Sequence, residues 1–311
     1  MEARNPERLT WAAFALTVFL GGNNAIAVRF SNAELPPFFG AALRFGVAAL
    51  ILFALVLIFR LPLPRGRSLS GAILFGFLAN GLNYALIYWS LLHVQASLTM
   101  VILALVPLLT FILACLHRQE SFRWEALAGA LLAVCGIGII SWDQLSADVP
   151  VLPLLAIFLG AVCFAEATVL IKSFPRTHPI TTNAVALITG AMFLGALSAV
   201  WQEKPTLPVL PSTWAALVYL IVFGSVVAFV LALYVIKRWT ASASSYQFVL
   251  FPVVTTISGA WLAKETISAV FLLGGFLVMT GVYIGGILKP DTLKRIFAAK
   301  TPRLETPCEE C

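Results

Sequence analysis

The chain has 311 residues, of which 60% are hydrophobic and only 11% are charged, and its mean hydropathy is +0.96. Soluble globular proteins carry about 25% charged residues, so the composition excludes a protein whose surface lies mainly in water. The net charge of +6 does not indicate a nucleic-acid partner, because the basic residues stand in short strings between apolar runs.

Ten apolar segments are long enough to cross a lipid bilayer, which requires about 20 residues of helix. The first follows two arginines, as a secretory signal would, but its length predicts a retained helix. In chain order the segments are Leu9–Val28, Pro36–Phe59, Leu69–Leu92, Ala96–Leu116, Trp124–Ser141, Leu152–Ile171, Ile180–Trp201, Trp214–Ile236, Ala241–Leu262 and Ser268–Leu288. The sequence thus predicts an all-α membrane protein with ten transmembrane helices and short connections.

The basic residues are distributed unequally between alternate loops. If the N-terminus is in the cytoplasm, 16 Lys and Arg residues lie on the cytoplasmic side and three on the outer side. Cytoplasmic loops carry such an excess. We therefore expect both termini in the cytoplasm, with residues 289–311 as a basic tail.

The two halves of the chain resemble each other. A displacement of 145 positions places residues 96–140 on residues 241–285 without a gap. Each half has an odd number of helices, so the second is expected to lie inverted in the membrane. Residues 9–141 and 152–288 are therefore predicted to be inverted five-helix repeats, an arrangement common in secondary transporters with a substrate site near the midplane. The displacement aligns Pro107 with Pro252, Glu120 with Glu265, Gly129 with Gly274, and Gly136 with Gly281.

The aligned residues also predict local structure. The glycines are seven positions apart in each half and so lie on one helix face, which favours close helix packing. Pro107 and Pro252 each remove a backbone donor and predict kinks. The two glutamates are expected to belong to loops at the membrane ends, where Ser121 and Thr266 are candidate N-caps of the helices that follow.

Several of these features point to one family. The second segment reads PPFFGAALRFGVAALIL from Pro36 to Leu52, and each half ends in a proline, a glutamate thirteen residues later and a GxxxxxxG helix. From Leu9 to Leu288 the chain resembles the drug/metabolite transporter superfamily in its ten-helix EamA-type branch, and is most similar there to the YddG-type amino-acid exporters. The resemblance implies a central cavity lined mainly by the first, third, fourth, sixth, eighth and ninth helices, with the fifth and tenth at the periphery.

Two ionisable side chains lie deep in predicted segments, where a charge is costly and indicates a function. Arg44 is eight residues into the second segment, and Glu166 is fourteen residues into the sixth. For Arg44 we consider a clamp on backbone carbonyls or contact with a substrate carboxylate. For Glu166 we consider a ligand for a substrate ammonium, a proton carrier, or a protonated acid bonded to another helix.

Polar side chains recur on the helices that the resemblance assigns to the cavity. Four of them, spaced i, i+3, i+4 and i+8 in the third segment, share one helix face. Hydrogen bonding between helices is the alternative role for each. The predicted substrate-binding residues are Asn23, Asn24, Arg44, Asn80, Asn83, Tyr84, Tyr88, Glu166, Tyr246 and Gln247.

Other functional classes lack their motifs. The sequence has no Walker-type nucleotide loop, and its three histidines, His93, His117 and His178, lie at loops or helix ends without metal-ligand spacing. The C-terminal Cys308 and Cys311 form a CxxC without a second pair, so we expect no metal or cofactor. One deep arginine is too few for a phosphate-bearing cargo.

We therefore expect a monomeric secondary transporter, not an enzyme, in the bacterial inner membrane. By alternating access it would export or facilitate the passage of small metabolites, and amino acids are the expected cargo. A drug or purine efflux carrier is the alternative in the same class. A membrane enzyme or scaffold without transport is the alternative from another class.

Overall fold

The computed structural model describes residues 6–122, 124–145, 151–262 and 268–286. The described residues form helices and no strands, which confirms the all-α prediction. In chain order the helices are α1 (Pro6–Gly22 and Asn24–Ser31), α2 (Pro37–Ile58), α3 (Arg67–Phe75, Gly76–Leu82 and Asn83–Ser90), α4 (Ala96–Leu103 and Val106–Leu116), α5 (Trp124–Leu145), α6 (Val151–Lys172), α7 (Pro179–Val200), α8 (Pro211–Ile221, Val222–Val227 and Ala228–Arg238), α9 (Ala241–Ser245 and Gln247–Leu262) and α10 (Ala269–Gly286). The predictions on Glu265, Thr266, the CxxC and the tail 289–311 fall outside the described residues.

Seven helices of the described chain are long and apolar enough to cross a membrane. They are α1, α2, α3, α4, α6, α7 and α8. Large apolar side chains such as Leu57, Val200 and Trp261 are exposed on the outside of the bundle, where a soluble protein would place polar groups. The chain is thus a multi-pass membrane protein, and spanning by α5, α9 and α10 stays a prediction.

Two helices contain π-helical turns at equivalent places in the two halves. The turns are Gly76–Leu82 in α3 and Val222–Val227 in α8. Displacement by 145 positions places the first turn on residues 221–227. π-Helical turns are rare in proteins, and those that occur are often found at functional sites. Their presence at equivalent positions therefore indicates a feature that both halves share.

The two aligned prolines lie in different surroundings. Helix α4 is interrupted at residues 104–105, directly before Pro107, which then occupies the first turn of the following segment. Pro252 instead lies inside the continuous segment Gln247–Leu262, and α9 is interrupted earlier, at Tyr246. The predicted disturbance at proline is therefore found in α4, while α9 breaks one to two turns before its proline.

The glycine faces of α5 and α10 pack against each other. A Cβ atom added at Gly136 would lie 2.6 Å from the carbonyl oxygen of Gly274 and 2.8 Å from the amide nitrogen of Val278. Only a residue without a side chain permits this approach of the two backbones. The close packing predicted from the glycine spacing is confirmed at this pair.

We expect Gly136→Ala to lower the free energy of unfolding by about 1–3 kcal/mol, the usual cost of overpacking. Gly138, on the same helix, is the matched control because nothing lies within 4 Å of its added Cβ. Gly138→Ala should be neutral or slightly stabilising, since alanine favours helix over glycine by ~1 kcal/mol. Thermal unfolding in detergent would measure both, and equal effects of the two variants would contradict this packing.

Candidate functional site

A cavity of about 80 Å³ lies at the centre of the bundle. All six helices implied by the family resemblance contribute to it, and α7 contributes as well through Asn183. The described lining contains no charged side chain. It consists of the polar residues Thr17, Asn24, Asn80, Asn83, Tyr84, Asn183 and Gln247, the phenylalanines Phe75, Phe164, Phe229, Phe248 and Phe251, and smaller aliphatic residues.

The amide side chains of the lining have unused hydrogen-bonding capacity. All five are almost completely buried, with exposed fractions of 7% or less. The atoms without a protein partner are Asn24 Oδ1, Asn80 Nδ2, Asn83 Oδ1, both polar atoms of Asn183 and Gln247 Oε1. A buried polar group left unbonded costs about 1–3 kcal/mol. A site that keeps several such groups around one cavity is suited to a ligand that bonds to them.

Close backbone contacts hold two of these amides in place. Gly224, in the π-helical turn of α8, lies against Asn24 Oδ1, and any Cβ at this glycine would collide with that oxygen. Gly190 of α7 packs against Asn80, whose Cβ would lie 2.7 Å from an added Cβ. Both glycines therefore serve the positioning of the cavity amides.

Arg44 is completely buried and acts as a clamp between helices. Its Nε donates to Ser225 Oγ at 2.7 Å, Nη2 donates to the carbonyl oxygen of Gly224 at 3.2 Å, and Nη1 donates to Tyr88 Oη at 3.3 Å. The guanidinium also lies 5.0–5.7 Å from the ring centres of Phe45, Tyr84 and Phe229. The hydrogen bonds of Arg44 thus go to described protein groups, one of them a backbone carbonyl. This is the arrangement expected for the first of its two predicted roles, the clamp on backbone carbonyls.

Glu166 lies apart from both Arg44 and the cavity. Its Oε1 is 2.9 Å from His117 Nε2, at the end of α4, and the side chains are 35% exposed for His117 and 26% for Glu166. The structure therefore does not bring Glu166 and Arg44 together. The partner of the Glu166 carboxyl group is His117, for which the sequence predicted only a position at a loop or helix end. Neither charge lines the cavity.

The remaining predicted residues divide between the cavity and its surroundings. Asn24, Asn80, Asn83, Tyr84 and Gln247 line the cavity. The side chain of Asn23 donates to the carbonyl oxygen of Phe19 within α1. Tyr88 is completely buried and bonded to Arg44, and it is not among the residues that line the cavity. Tyr246 lines a separate groove between α1, α8, α9 and α10.

Other polar groups hold the bundle together. Glu120, read as a loop residue from the sequence, accepts a hydrogen bond from Ser242 Oγ at 2.8 Å and so connects the end of α4 to the start of α9. Thr110 and Ser245 approach within 3.2 Å across the same two helices. These contacts join equivalent helices of the two halves.

Asn183, His117 and Ser225 were not identified from the sequence. Asn183 follows Thr181 and Thr182 at the start of its helix, where polar residues are common. The signal for Asn183 in the sequence was its position as a polar residue one turn inside an apolar segment. The partners of Arg44 and Glu166 lie on other helices and leave no local signal.

Comparisons with known proteins agree on the class. The EamA-like transporter family matches residues 9–142 and 151–285. The "Uncharacterized inner membrane transporter YedA" of Escherichia coli strain K12 is 29% identical over 295 residues, with 93% of this chain and 92% of the relative covered. The "Probable terminal-alkyne amino-acid exporter" of Streptantibioticus cattleyicolor is 27% identical over 245 residues, covering 77% of this chain and 79% of the relative.

A solved crystal structure has the same fold. It superimposes with a TM-score of 0.68, covers 93% of this chain and 99% of its own, and is 19% identical. The family match falls once on each half of the chain, which agrees with a duplicated architecture. The family and these relatives are transporters, which confirms the prediction that the protein is not an enzyme. With a family match over most of its length and the multi-pass helical fold described above, the chain belongs to the EamA-like transporter family.

Proposed function

We propose that the protein is a secondary transporter for neutral amino acids in the bacterial inner membrane. The observation that carries this proposal is the uncharged cavity with several unbonded amide atoms. Amide side chains both donate and accept hydrogen bonds, so they can hold the ammonium and carboxylate groups of one zwitterion without a fixed counter-charge. One relative, from S. cattleyicolor, is named a probable terminal-alkyne amino-acid exporter, which supports amino acids as the class of cargo.

The apolar part of the lining suits the side chain of the cargo. Five phenylalanines and the ring of Tyr84 surround the amides, as in ligand sites that combine apolar walls with a few polar groups. This lining favours amino acids with apolar or aromatic side chains, and we propose that the protein acts as the YddG-type amino-acid exporters that its sequence resembles. A purine could stack on the same rings, so a purine or drug efflux carrier is the second candidate.

The proposed transport cycle depends on the two halves of the chain. We propose ten membrane-spanning helices, with residues 9–141 and 152–288 as inverted repeats, both termini and the tail 289–311 in the cytoplasm, and a monomer as the working unit. Equivalent π-helical turns in α3 and α8 support this symmetry. Alternating access would then open the central cavity to one side of the membrane at a time.

The substrate class can be tested in proteoliposomes that contain the purified protein. We expect rapid exchange of labelled leucine or phenylalanine against the same internal amino acid and no exchange of triose phosphate, because no cation lines the described cavity. Liposomes without protein are the control. Adenine exchange without amino-acid exchange would favour the second candidate, and triose-phosphate exchange alone would contradict both.

The contact between Glu166 and His117 suggests a route for protons. We propose that the partly exposed Glu166 carboxyl group, in contact with the His117 imidazole, carries protons and so couples transport to the pH gradient. Glu166→Gln should then abolish flux driven by a pH gradient, while exchange of substrate for substrate continues. The measurement is labelled amino-acid flux with and without the gradient, and a variant that responds to the gradient like the wild type would exclude this role.

A further inference from the structure

A second cavity lies at the end of the bundle where α6 and α8 finish and α7 begins. Its volume is about 200 Å³, against roughly 30 Å³ for one water molecule in the liquid. It is separate from the central cavity and shares with it only Ile236. Three basic residues, Lys172, Arg176 and Lys237, line it together with the hydroxyl groups of Ser68, Thr177 and Thr182.

The two lysines are held in place by the backbone. Lys172 Nζ donates to the carbonyl oxygens of Ile236 and Trp239 at 2.7 and 2.6 Å. Lys237 Nζ donates to the Thr177 carbonyl oxygen and, at 2.9 Å, to Thr182 Oγ1. Each ammonium group has three donors, so each retains one N–H for a ligand.

The positive charge of this cavity is only partly balanced. The C-terminal carbonyls of α8 offset part of the charge on Lys172, and Glu120 attracts it from a distance while bonded to Ser242. Among the described residues, no carboxylate lies within 4.0 Å of Lys172, Arg176 or Lys237. The Arg176 guanidinium also makes no hydrogen bond to another described residue. The N-terminus of α7, which begins at Pro179, adds partial positive charge.

We propose that Lys172, Arg176 and Lys237 bind a phosphate group at this end of the bundle. A tetrahedral oxyanion can accept hydrogen bonds from both ammonium groups and the guanidinium at once, and charge-assisted bonds of this kind are the strong ones. Ser68 belongs to the first half of the chain and the cations to the second. A phosphate bound here therefore lies where the two halves meet, and by binding to the folded chain it raises the melting temperature.

The phosphate can come from an anionic phospholipid headgroup or from free phosphate, and two measurements separate the sources. The first is the melting temperature of the full chain in uncharged detergent, with inorganic phosphate or with sodium chloride at equal ionic strength. The second is the melting temperature in nanodiscs of phosphatidylglycerol or of phosphatidylcholine with the same acyl chains. A phosphate-specific rise in the first identifies free phosphate, and a rise with phosphatidylglycerol in the second identifies the lipid.

Arg176→Gln tests the site without removing a bond that holds the bundle. It should weaken the phosphate or phosphatidylglycerol effect about tenfold in apparent affinity, the equivalent of one charge-assisted hydrogen bond. Arg60→Gln, an exposed cation outside this cavity, should keep the full effect. The proposal is overturned if neither phosphate nor phosphatidylglycerol raises the melting temperature, or if Arg176→Gln responds as strongly as the wild type.

Discussion

Arg44→Ala is expected to lose at least about 3 kcal/mol of unfolding free energy, because hydrogen bonds to a charged group contribute about 1.5–3 kcal/mol each. The substitution leaves Ser225 Oγ, the Gly224 carbonyl and Tyr88 Oη without their present partner. It also opens a void among three aromatic rings. The change would be measured by thermal or SDS-induced unfolding of the purified protein in detergent.

Two further substitutions separate the charge from the volume of Arg44. Arg44→Met fills most of the space but cannot donate, so it should remain strongly destabilised. Arg44→Lys keeps the charge but lacks the planar fork that reaches several acceptors, and should recover only part of the loss. Arg67→Ala, at an exposed position at the start of α3, should unfold like the wild type. Wild-type stability of Arg44→Met would contradict the clamp.

Asn183→Leu is expected to reduce transport at least tenfold while the protein becomes as stable as the wild type or more stable. Asn183 is completely buried, and neither of its polar atoms has a partner. Replacing such a group with an apolar one of similar size removes a cost of about 1 kcal/mol or more. If Asn183 instead bonds to the substrate, the lost bond of ~1.4 kcal/mol corresponds to the tenfold decrease.

The opposite signs of the two effects distinguish a binding role from a structural one. A residue that supports the fold would lower stability when replaced and reduce transport only in proportion to the protein lost. Thr189→Val is the matched control on the same helix, since the Thr189 hydroxyl bonds only to the Val185 carbonyl of α7. Reduced stability of Asn183→Leu with unchanged flux per folded molecule would contradict a role in binding.

The helices could be predicted because hydropathy depends on short stretches of sequence. The segment predicted as Pro36–Phe59 forms as Pro37–Ile58, and the one predicted as Ala241–Leu262 has the same outer limits. The π-helical turns in α3 and α8 and the break at Tyr246 could not be predicted in this way. Hydropathy does not mark these features, and the turn in α8 contains Gly224, which lies against Asn24 of α1.

The site could be predicted only where polar residues share a helix face. Asn80, Asn83 and Tyr84 follow helical spacing and do line the cavity together. The distinction between Arg44, which is satisfied by α8, and Asn183, which lacks partners, requires the tertiary structure. Ser225 is 181 positions from Arg44 and His117 is 49 from Glu166, so neither pair leaves a pattern within one helix.

The central claim is that the amide-lined cavity binds the transported amino acid. A cryo-EM structure of the protein with the amino acid that exchanges fastest in proteoliposomes would test this claim most directly. We expect density for the ligand between Asn24, Asn183 and Gln247, with its polar groups within hydrogen-bonding distance of amide atoms that lack partners without it. Ligand density beside Glu166 and His117, with the central cavity empty, would contradict the account.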